Sequence, residues 1–145
     1  GDPLGDSTLA CLYLNERAAT GRVIPEGAAA WPMWSLYGVA DGWIEAQIAM
    51  RAEHLRPAAE RSERFLAKQR DRIQRCLDHA ESKLGELEGP VDLAQITVGI
   101  ACGYQYWREW LDDFDTSHPA LAEWYAGFAK RPSMVATEPA ETPER

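Results

Sequence analysis

The sequence predicts an all-α protein, a bundle of helices without a sheet. Along most of the chain, apolar residues recur at spacings of three, four and seven, as they do on one face of a helix. No segment shows the strict alternation of apolar and polar residues that is typical of a half-buried strand. Glycine and proline residues stand mainly where one helical pattern ends and the next begins.

Composition and charge exclude several classes of protein. With 145 residues, 46% of them hydrophobic and 26% charged, the chain is typical of one globular domain or slightly more. A net charge of −8 argues against a nucleic-acid partner. The longest nearly apolar run, Ile96 to Tyr104, is about half of what a membrane span needs. Cys11, Cys76 and Cys102 form no CxxC motif, which favours a reducing, cytoplasmic environment.

The first half of the chain predicts a short helix, a loop and a long helix. Ser7 is placed as the N-cap of the first helix, because its hydroxyl can accept a hydrogen bond from a free backbone N–H. Turn residues between Arg22 and Ala30 predict a connecting loop. The second helix runs from about Ala30 to Leu55 and ends before Pro57. Its apolar residues fall on two faces, which is typical of a helix with the core on one side and another surface on the other. That second surface is a partner subunit, a missing domain or a ligand cleft.

The second half predicts three more helices. The third runs from about Ala58 to Leu87 and carries one narrow apolar stripe. The fourth begins at a capping box of Asp92 and Gln95, in which two free N–H groups are satisfied reciprocally. Small and apolar residues follow, so this helix is expected at the centre of the bundle. The fifth begins near Pro119, a residue suited to the first helical position.

Five motifs follow one another in a fixed order. They are Asp6-Ser7, Tyr13-Leu14-Asn15-Glu16 with Ile24-Pro25, Val91-Asp92-Leu93-Ala94-Gln95-Ile96, Pro119-x-Leu121-x2-Trp124, and Arg131-Pro132-Ser133. Their order and spacing resemble the glutathione S-transferase family. The resemblance implies that residues 1–20 are the last helix of a truncated thioredoxin-like domain, 21–29 an interdomain linker, 30–136 the all-helical C-terminal domain, and 137–145 a flexible tail.

The resemblance assigns a glutathione-binding role to Asp6 and Ser7. In the family, an acidic residue followed by serine at a helix start holds the γ-glutamyl end of glutathione. The chemistry is reasonable, because a helix N-terminus and the Ser7 hydroxyl suit a carboxylate while Asp6 suits an ammonium group. A plain N-cap with an acidic neighbour is the alternative. Glutathione is then a co-substrate, and no cofactor is expected.

The resemblance also implies that the second and fourth helices form a pocket for a hydrophobic electrophile. The candidates are Trp31, Trp34, Tyr37, Asp41, Tyr104 and Trp107. An aromatic-lined cleft suits such a ligand, although the same rings could simply be core. A carboxylate among apolar neighbours needs a partner, so Asp41 is a solvated break, a salt-bridge member or a polar group of the cleft.

No catalytic residue is expected within the chain. The family's thiolate-stabilising tyrosine, serine or cysteine lies in the thioredoxin-like domain, which would precede Leu4. No metal site is expected either, because His54, His79 and His118 are far apart. Two functions remain in view: the C-terminal part of a homodimeric glutathione transferase, inactive by itself, or a non-catalytic docking or dimerisation module of the same shape. An unrelated ligand-binding bundle is a more distant third.

Overall fold

The computed structural model describes residues 3–139, and no strand occurs among them. The six α-helices are α1 (Ser7–Arg17), α2 (Ala30–His54), α3 (Glu63–Ser82), α4 (Leu93–Trp107), α5 (Pro119–Phe128) and α6 (Pro132–Ala136). The all-α prediction is confirmed. Of the predicted tail 137–145, residues 140–145 lie outside the described residues. None of the helices in the described part is both long and apolar enough to span a membrane.

Helix α2 is the axis of the bundle and packs against both α3 and α4. Both of these neighbours belong to the bundle, so the second surface that the sequence predicts beside α2, a partner subunit, a missing domain or a ligand cleft, stays a prediction. Helix α3 runs antiparallel to α2, because the Arg72 guanidinium pairs with Glu45 at 2.7 Å while the N–H of Ser62, before α3, donates to Glu53 near the end of α2. The largest fully buried side chain, Trp43, lies near the middle of α2.

Helix α4 runs in the same direction as α2. The N–H of Leu93, its first residue, donates to the carbonyl of Val23 in the segment that leads into α2. Further along, the Gln47 side chain donates to the Gln105 side chain at 2.8 Å, and the indole N–H of Trp43 reaches the same Gln105 oxygen at 3.2 Å. These buried polar contacts fix which residues of α2 and α4 lie at the same level, because each buried donor needs its acceptor.

The predicted third helix was too long at both ends. The structure forms 3₁₀ turns at Ala58–Glu60 and Leu84–Leu87, with α3 between them. Ser62 starts α3, since its hydroxyl accepts from the N–H of Phe65 at 3.2 Å and its backbone is extended. The predicted apolar stripe is nevertheless buried, at Leu66, Ile73, Leu77, Ala80 and Leu87.

The start of α4 confirms one half of the predicted capping box and corrects the other. The Asp92 carboxylate accepts from the N–H of Gln95 at 2.9 Å. The Gln95 side chain does not complete the reciprocal bond with Asp92; its amide donates to the carbonyl of Pro90 at 3.1 Å. A glutamine amide can donate as well as accept, so it fixes the turn before the helix.

Glycines on α4 let α5 approach closely. A Cβ added to Gly99 would lie 2.8 Å from ring carbons of Phe128, and one added to Gly103 would lie 2.8 Å from the hydroxyl oxygen of Tyr125. Both distances are shorter than van der Waals contact allows. The absence of a side chain at these positions therefore permits the aromatic side of α5 to lie on α4. Helix α4 is largely buried, as predicted, but α2 and not α4 is at the centre of the bundle.

Candidate functional site

The start of α1 carries the two residues predicted to hold glutathione, with their structural roles exchanged. Asp6, not Ser7, is the N-cap: its backbone is extended, and one carboxylate oxygen accepts from the N–H of Leu9 at 2.9 Å. Ser7 is the first helical residue. Aspartate is as good a cap as serine, which leaves the exposed Ser7 hydroxyl at a helix N-terminus and the second Asp6 oxygen outside the cap bond.

Side-chain hydrogen bonds position α1 and the segment that follows it, and Cys11 of α1 packs partly buried against the core. The hydroxyls of Thr8 and Tyr37 lie 2.7 Å apart and join α1 to α2. At the other end, the Asn15 side chain accepts from the N–H groups of Val23 and Ile24 at 2.8 and 3.0 Å, which fixes the segment after α1. The start of α1 is thereby held beside Tyr37 of α2.

Asp41 lies in a negatively charged environment at this junction. Burial raises the pKa of its carboxyl, and the nearby carboxylates of Glu45 and Asp6 raise it further, while Arg72 opposes the shift. The Arg72 guanidinium forms its salt bridge with Glu45 at 2.7 Å. Asp41 is thus a partly buried carboxyl in acidic surroundings, and its role as a solvated break, a salt-bridge member or a polar group of the cleft stays a prediction.

Aromatic side chains line a cavity of about 310 Å³ between α4, α5 and α6. Tyr104 and Trp107, both predicted pocket residues, lie on its wall with ring centroids 5.8 Å apart. The Arg108 guanidinium carbon lies 3.8 Å from the Trp107 ring centroid and 5.0 Å from that of Tyr104. Other lining residues, which the sequence reasoning missed, are Ile100, Tyr106, Tyr125, Met134 and Val135.

The α2 candidates do not line this cavity. Trp34 packs edge to face against the buried Tyr37 with centroids 5.3 Å apart, and Trp31 is 72% exposed. Since Gln47 and Gln105 are hydrogen bonded, Asp41 lies eight residues below the level of Trp107, about 12 Å along the parallel helices. The predicted pocket is thus divided between two levels, with Trp31 and Trp34 lower still.

Two thiols and three phenols are poorly suited to ionise. Burial raises the pKa of the Cys102 thiol far above its ordinary value, and it also raises the pKa of Cys76. Burial likewise raises the pKa of Tyr37 and Tyr125. The pKa of Tyr106 is raised strongly, first by burial and further by the neighbouring carboxylate of Asp115. None of these five groups is therefore prepared to act as a thiolate or phenolate at neutral pH.

The lining residues that the sequence analysis did not select are visible as aromatic and apolar side chains, but their spacing does not distinguish a cavity wall from the core. Tyr125 follows Leu121 and Trp124 at the apolar spacing of a helix, where a ring is ordinarily core. Its position in a cavity depends on Gly103, which faces it from another helix. Within residues 3–139, no group of three histidine, cysteine, aspartate or glutamate side chains could hold a metal ion.

Comparisons with known proteins identify relatives that share this fold. No protein-family profile matches the chain. A glutathione transferase family member from Pseudomonas fluorescens Pf-5 is 36% identical, with a TM-score of 0.92 over 97% of this chain and 73% of its own. It has been solved with S-(propanoic acid)-glutathione and with glutathione bound. A glutathione S-transferase from Methylobacillus flagellatus KT with glutathione bound is 29% identical, with a TM-score of 0.88 over 97% of this chain and 72% of its own.

A curated relative gives the same family from sequence. The uncharacterized GST-like protein YibF of Escherichia coli K12 is 36% identical over 104 residues, which are 70% of this chain. The match covers 52% of YibF, so the chain spans about half the length of that relative. On the basis of the similarity in sequence and in structure, the chain belongs to the glutathione transferase family.

Proposed function

We propose that the chain is the substrate-side, C-terminal part of a glutathione transferase. The parent enzyme adds the glutathione thiolate to a hydrophobic electrophile, and this chain by itself does not perform the reaction. The proposal is carried by one observation: a relative that is 36% identical over 97% of the chain has been solved with glutathione and with a glutathione conjugate. The three free cysteines agree with action in the reducing cytoplasm.

In this proposal, α1 binds the γ-glutamyl end of glutathione. The exposed Ser7 hydroxyl and the free N–H groups of the first turn suit the α-carboxylate, because the N-terminus of a helix carries partial positive charge. The Asp6 carboxylate uses one oxygen for the cap of Leu9 and has acceptor capacity left for the ammonium group.

The two candidate subsites lie at different levels of the bundle. The level of Asp41, beside the start of α1, and the level of Trp107 differ by about 12 Å along the bundle. An extended tripeptide spans at most about 11 Å, and glutathione carries its thiol on the middle residue. In this proposal the acceptor therefore extends from the cavity lined by Tyr104 and Trp107 towards the thiol of a glutathione anchored at Ser7.

Residues 1–20 are, in this proposal, the last helix of a thioredoxin-like domain, and residues 21–29 link it to the helical domain. Helix α1 agrees with this role because no residue of α1 is buried by the described part of the chain. The thiol-activating residue would then belong to the thioredoxin-like domain of the parent. We also propose that the parent is a homodimer.

A second candidate is a non-catalytic docking or dimerisation module. It is favoured by the exposed apolar side chains Leu9, Leu12 and Tyr13, which share one face of α1, since a contiguous exposed apolar patch often marks an interaction site. The two candidates differ in one respect that can be measured: only the transferase requires glutathione to bind at the start of α1.

Titration of glutathione into the isotope-labelled chain, followed by amide chemical shifts, tests the proposal. We expect saturable shifts centred on Ser7 and Thr8, and no conjugation of chlorodinitrobenzene. Asp6→Asn should weaken binding about tenfold, since it removes the charge that faces the ammonium group but retains the cap. Glu16→Gln on the same exposed helix is the matched control. Absence of shifts at Ser7, or equal affinity in Asp6→Asn, would favour the docking module.

A further inference from the structure

The hydroxyl of Tyr37 connects the core of the bundle to the first turn of α1. It lies 2.7 Å from the hydroxyl of Thr8, the residue that follows Ser7. The Tyr37 ring is only 9% exposed, belongs to the hydrophobic core and packs edge to face against Trp34. A ring packed in this way presents its hydroxyl at a fixed place, so the core supplies a rigid partner for Thr8.

The first turn of α1 also carries the backbone N–H groups that would bind a carboxylate. The first N–H groups of an α-helix have no partner within the helix. Here the N–H of Leu9 donates to the Asp6 carboxylate and the N–H of Ala10 donates to the Asp6 carbonyl. These bonds do not involve the N–H groups of Ser7 and Thr8, which suit an anion at the helix start. Their direction depends on how the first turn is oriented on the bundle.

The other attachments of α1 lie further from its start. No residue of α1 is buried. Cys11, which packs partly buried against the core, lies about one turn further along, and the Asn15 side chain acts near the end of the helix. The bond between Thr8 and Tyr37 is therefore the attachment nearest to the proposed carboxylate site. Burial raises the pKa of the Tyr37 phenol, so the phenol keeps its proton at neutral pH.

We propose that Tyr37 is a positioning residue, which through its hydrogen bond to Thr8 holds the first turn of α1 in the orientation that binds the α-carboxylate of glutathione. The inference rests on the proposed function, because it concerns the same glutathione site. Tyr37 acts through Thr8 and touches neither glutathione nor the acceptor. A turn that is already oriented loses less conformational entropy when it binds a ligand, so binding is tighter.

The variant Tyr37→Phe tests the proposal, because it keeps the ring in the core and removes the hydroxyl. Hydrogen exchange at the amides of Leu9 and Ala10 measures opening of the first turn, and glutathione titration followed by amide chemical shifts measures affinity. We expect exchange to be about fivefold faster and binding about fivefold weaker, as for the loss of one hydrogen bond. Thr8→Val removes the other hydroxyl at similar volume and should give the same two effects.

A double variant and a matched control distinguish positioning from general weakening. Tyr37→Phe combined with Thr8→Val should bind glutathione no more weakly than either single variant, because both substitutions remove the same hydrogen bond. Tyr13→Phe removes a phenol hydroxyl from an exposed position of α1 and should change neither exchange nor affinity.

Unchanged exchange or unchanged affinity in Tyr37→Phe, additive losses in the double variant, or an equal loss in Tyr13→Phe would overturn the proposal. If glutathione causes no shifts at Ser7 in the unsubstituted chain while Tyr37→Phe still accelerates exchange, the proposed function is rejected and Tyr37 still positions the first turn of α1. Circular dichroism verifies that each variant is folded.

Discussion

Helix α1 and the α2–α4 pair are stabilised in opposite ways. The pair surrounds a fully buried Trp43, whose indole N–H and the Gln47 amide share the Gln105 oxygen. Helix α1 has no buried residue, and its leucines are exposed, Leu14 to 65%. It is attached to α2 through the hydrogen bond between Thr8 and Tyr37, and Cys11 packs partly buried against the core.

The difference shows that an element can have a good helical sequence and still depend little on the surrounding core. In the α2–α4 pair, burial supplies the free energy of unfolding, and the buried donors of Trp43 and Gln47 are matched by the Gln105 oxygen. In α1, capping and hydrogen bonds define the geometry, the leucines remain exposed, and Cys11 is only partly buried against the core. We therefore expect substitutions in the two regions to differ in cost even when their chemistry is the same.

Removal of a large side chain from each region should give the largest contrast. Trp43→Ala should lower the free energy of unfolding by about 3–5 kcal/mol, because it leaves a cavity beside Phe114 and deprives Gln105 of a donor. Leu14→Ala in α1 should change it by less than about 0.5 kcal/mol. Urea unfolding followed by circular dichroism measures both. Similar costs at the two positions would contradict the contrast.

Removal of the same type of helix cap should give a smaller contrast. Asp92→Ala should cost about 1 kcal/mol, since the N–H of Gln95 loses its acceptor at the start of the buried α4. Asp6→Ala removes the equivalent bond to Leu9, and we expect local fraying of α1 with little change in global unfolding. Hydrogen exchange distinguishes these outcomes, with Asp92→Asn as the control that retains a cap. Equal losses of global stability would show that α1 unfolds with the core.

The smallest effect is expected at Asp41, where the two regions meet. Its folded pKa is raised, so the stability contributed by the protonated side chain is present below the ordinary pKa and is lost as the pH rises through the raised pKa. Asp41→Asn should therefore increase Tm at about pH 7, and the gain should disappear at about pH 4. Solvent screening keeps it below about 1 kcal/mol.

Thermal melting at both pH values measures this effect, with Asp71→Asn, at an exposed position of α3, as the control. A destabilised Asp41→Asn variant at neutral pH would mean that the carboxylate has a favourable partner, contrary to its acidic surroundings.

Local signals in the sequence predicted most of the fold. Pro57 and Pro119 marked helix boundaries correctly, and the stripe from Leu66 to Leu87 was buried as predicted. The cap of α1 was assigned one residue late, because aspartate and serine stand side by side and both are good caps. Only the extended backbone of Asp6 distinguishes them.

The candidate site was harder to predict, because it depends on which levels of two helices coincide. Periodicity places Trp34 and Trp107 on faces but does not fix the register between their helices. That register depends on the bond between Gln47 and Gln105, a long-range contact between two side chains that resemble any other polar residue in the sequence. Arg108 was equally inconspicuous, since its contacts with two rings arise only where α4 ends.

The same glutamine pair has a consequence for the order of folding. It joins residues 58 positions apart, whereas the bond from Ser62 to Glu53 spans 9 and the pair of Arg72 with Glu45 spans 27. Closing a longer loop costs more chain entropy, so we expect the α2–α3 hairpin to form first and α4 to dock afterwards. If α4 docked one helical turn out of register, Gln47 and Gln105 would be buried without their mutual hydrogen bond. The hydrogen bond between the two amides therefore favours the correct register of α4 when it docks on the α2–α3 hairpin.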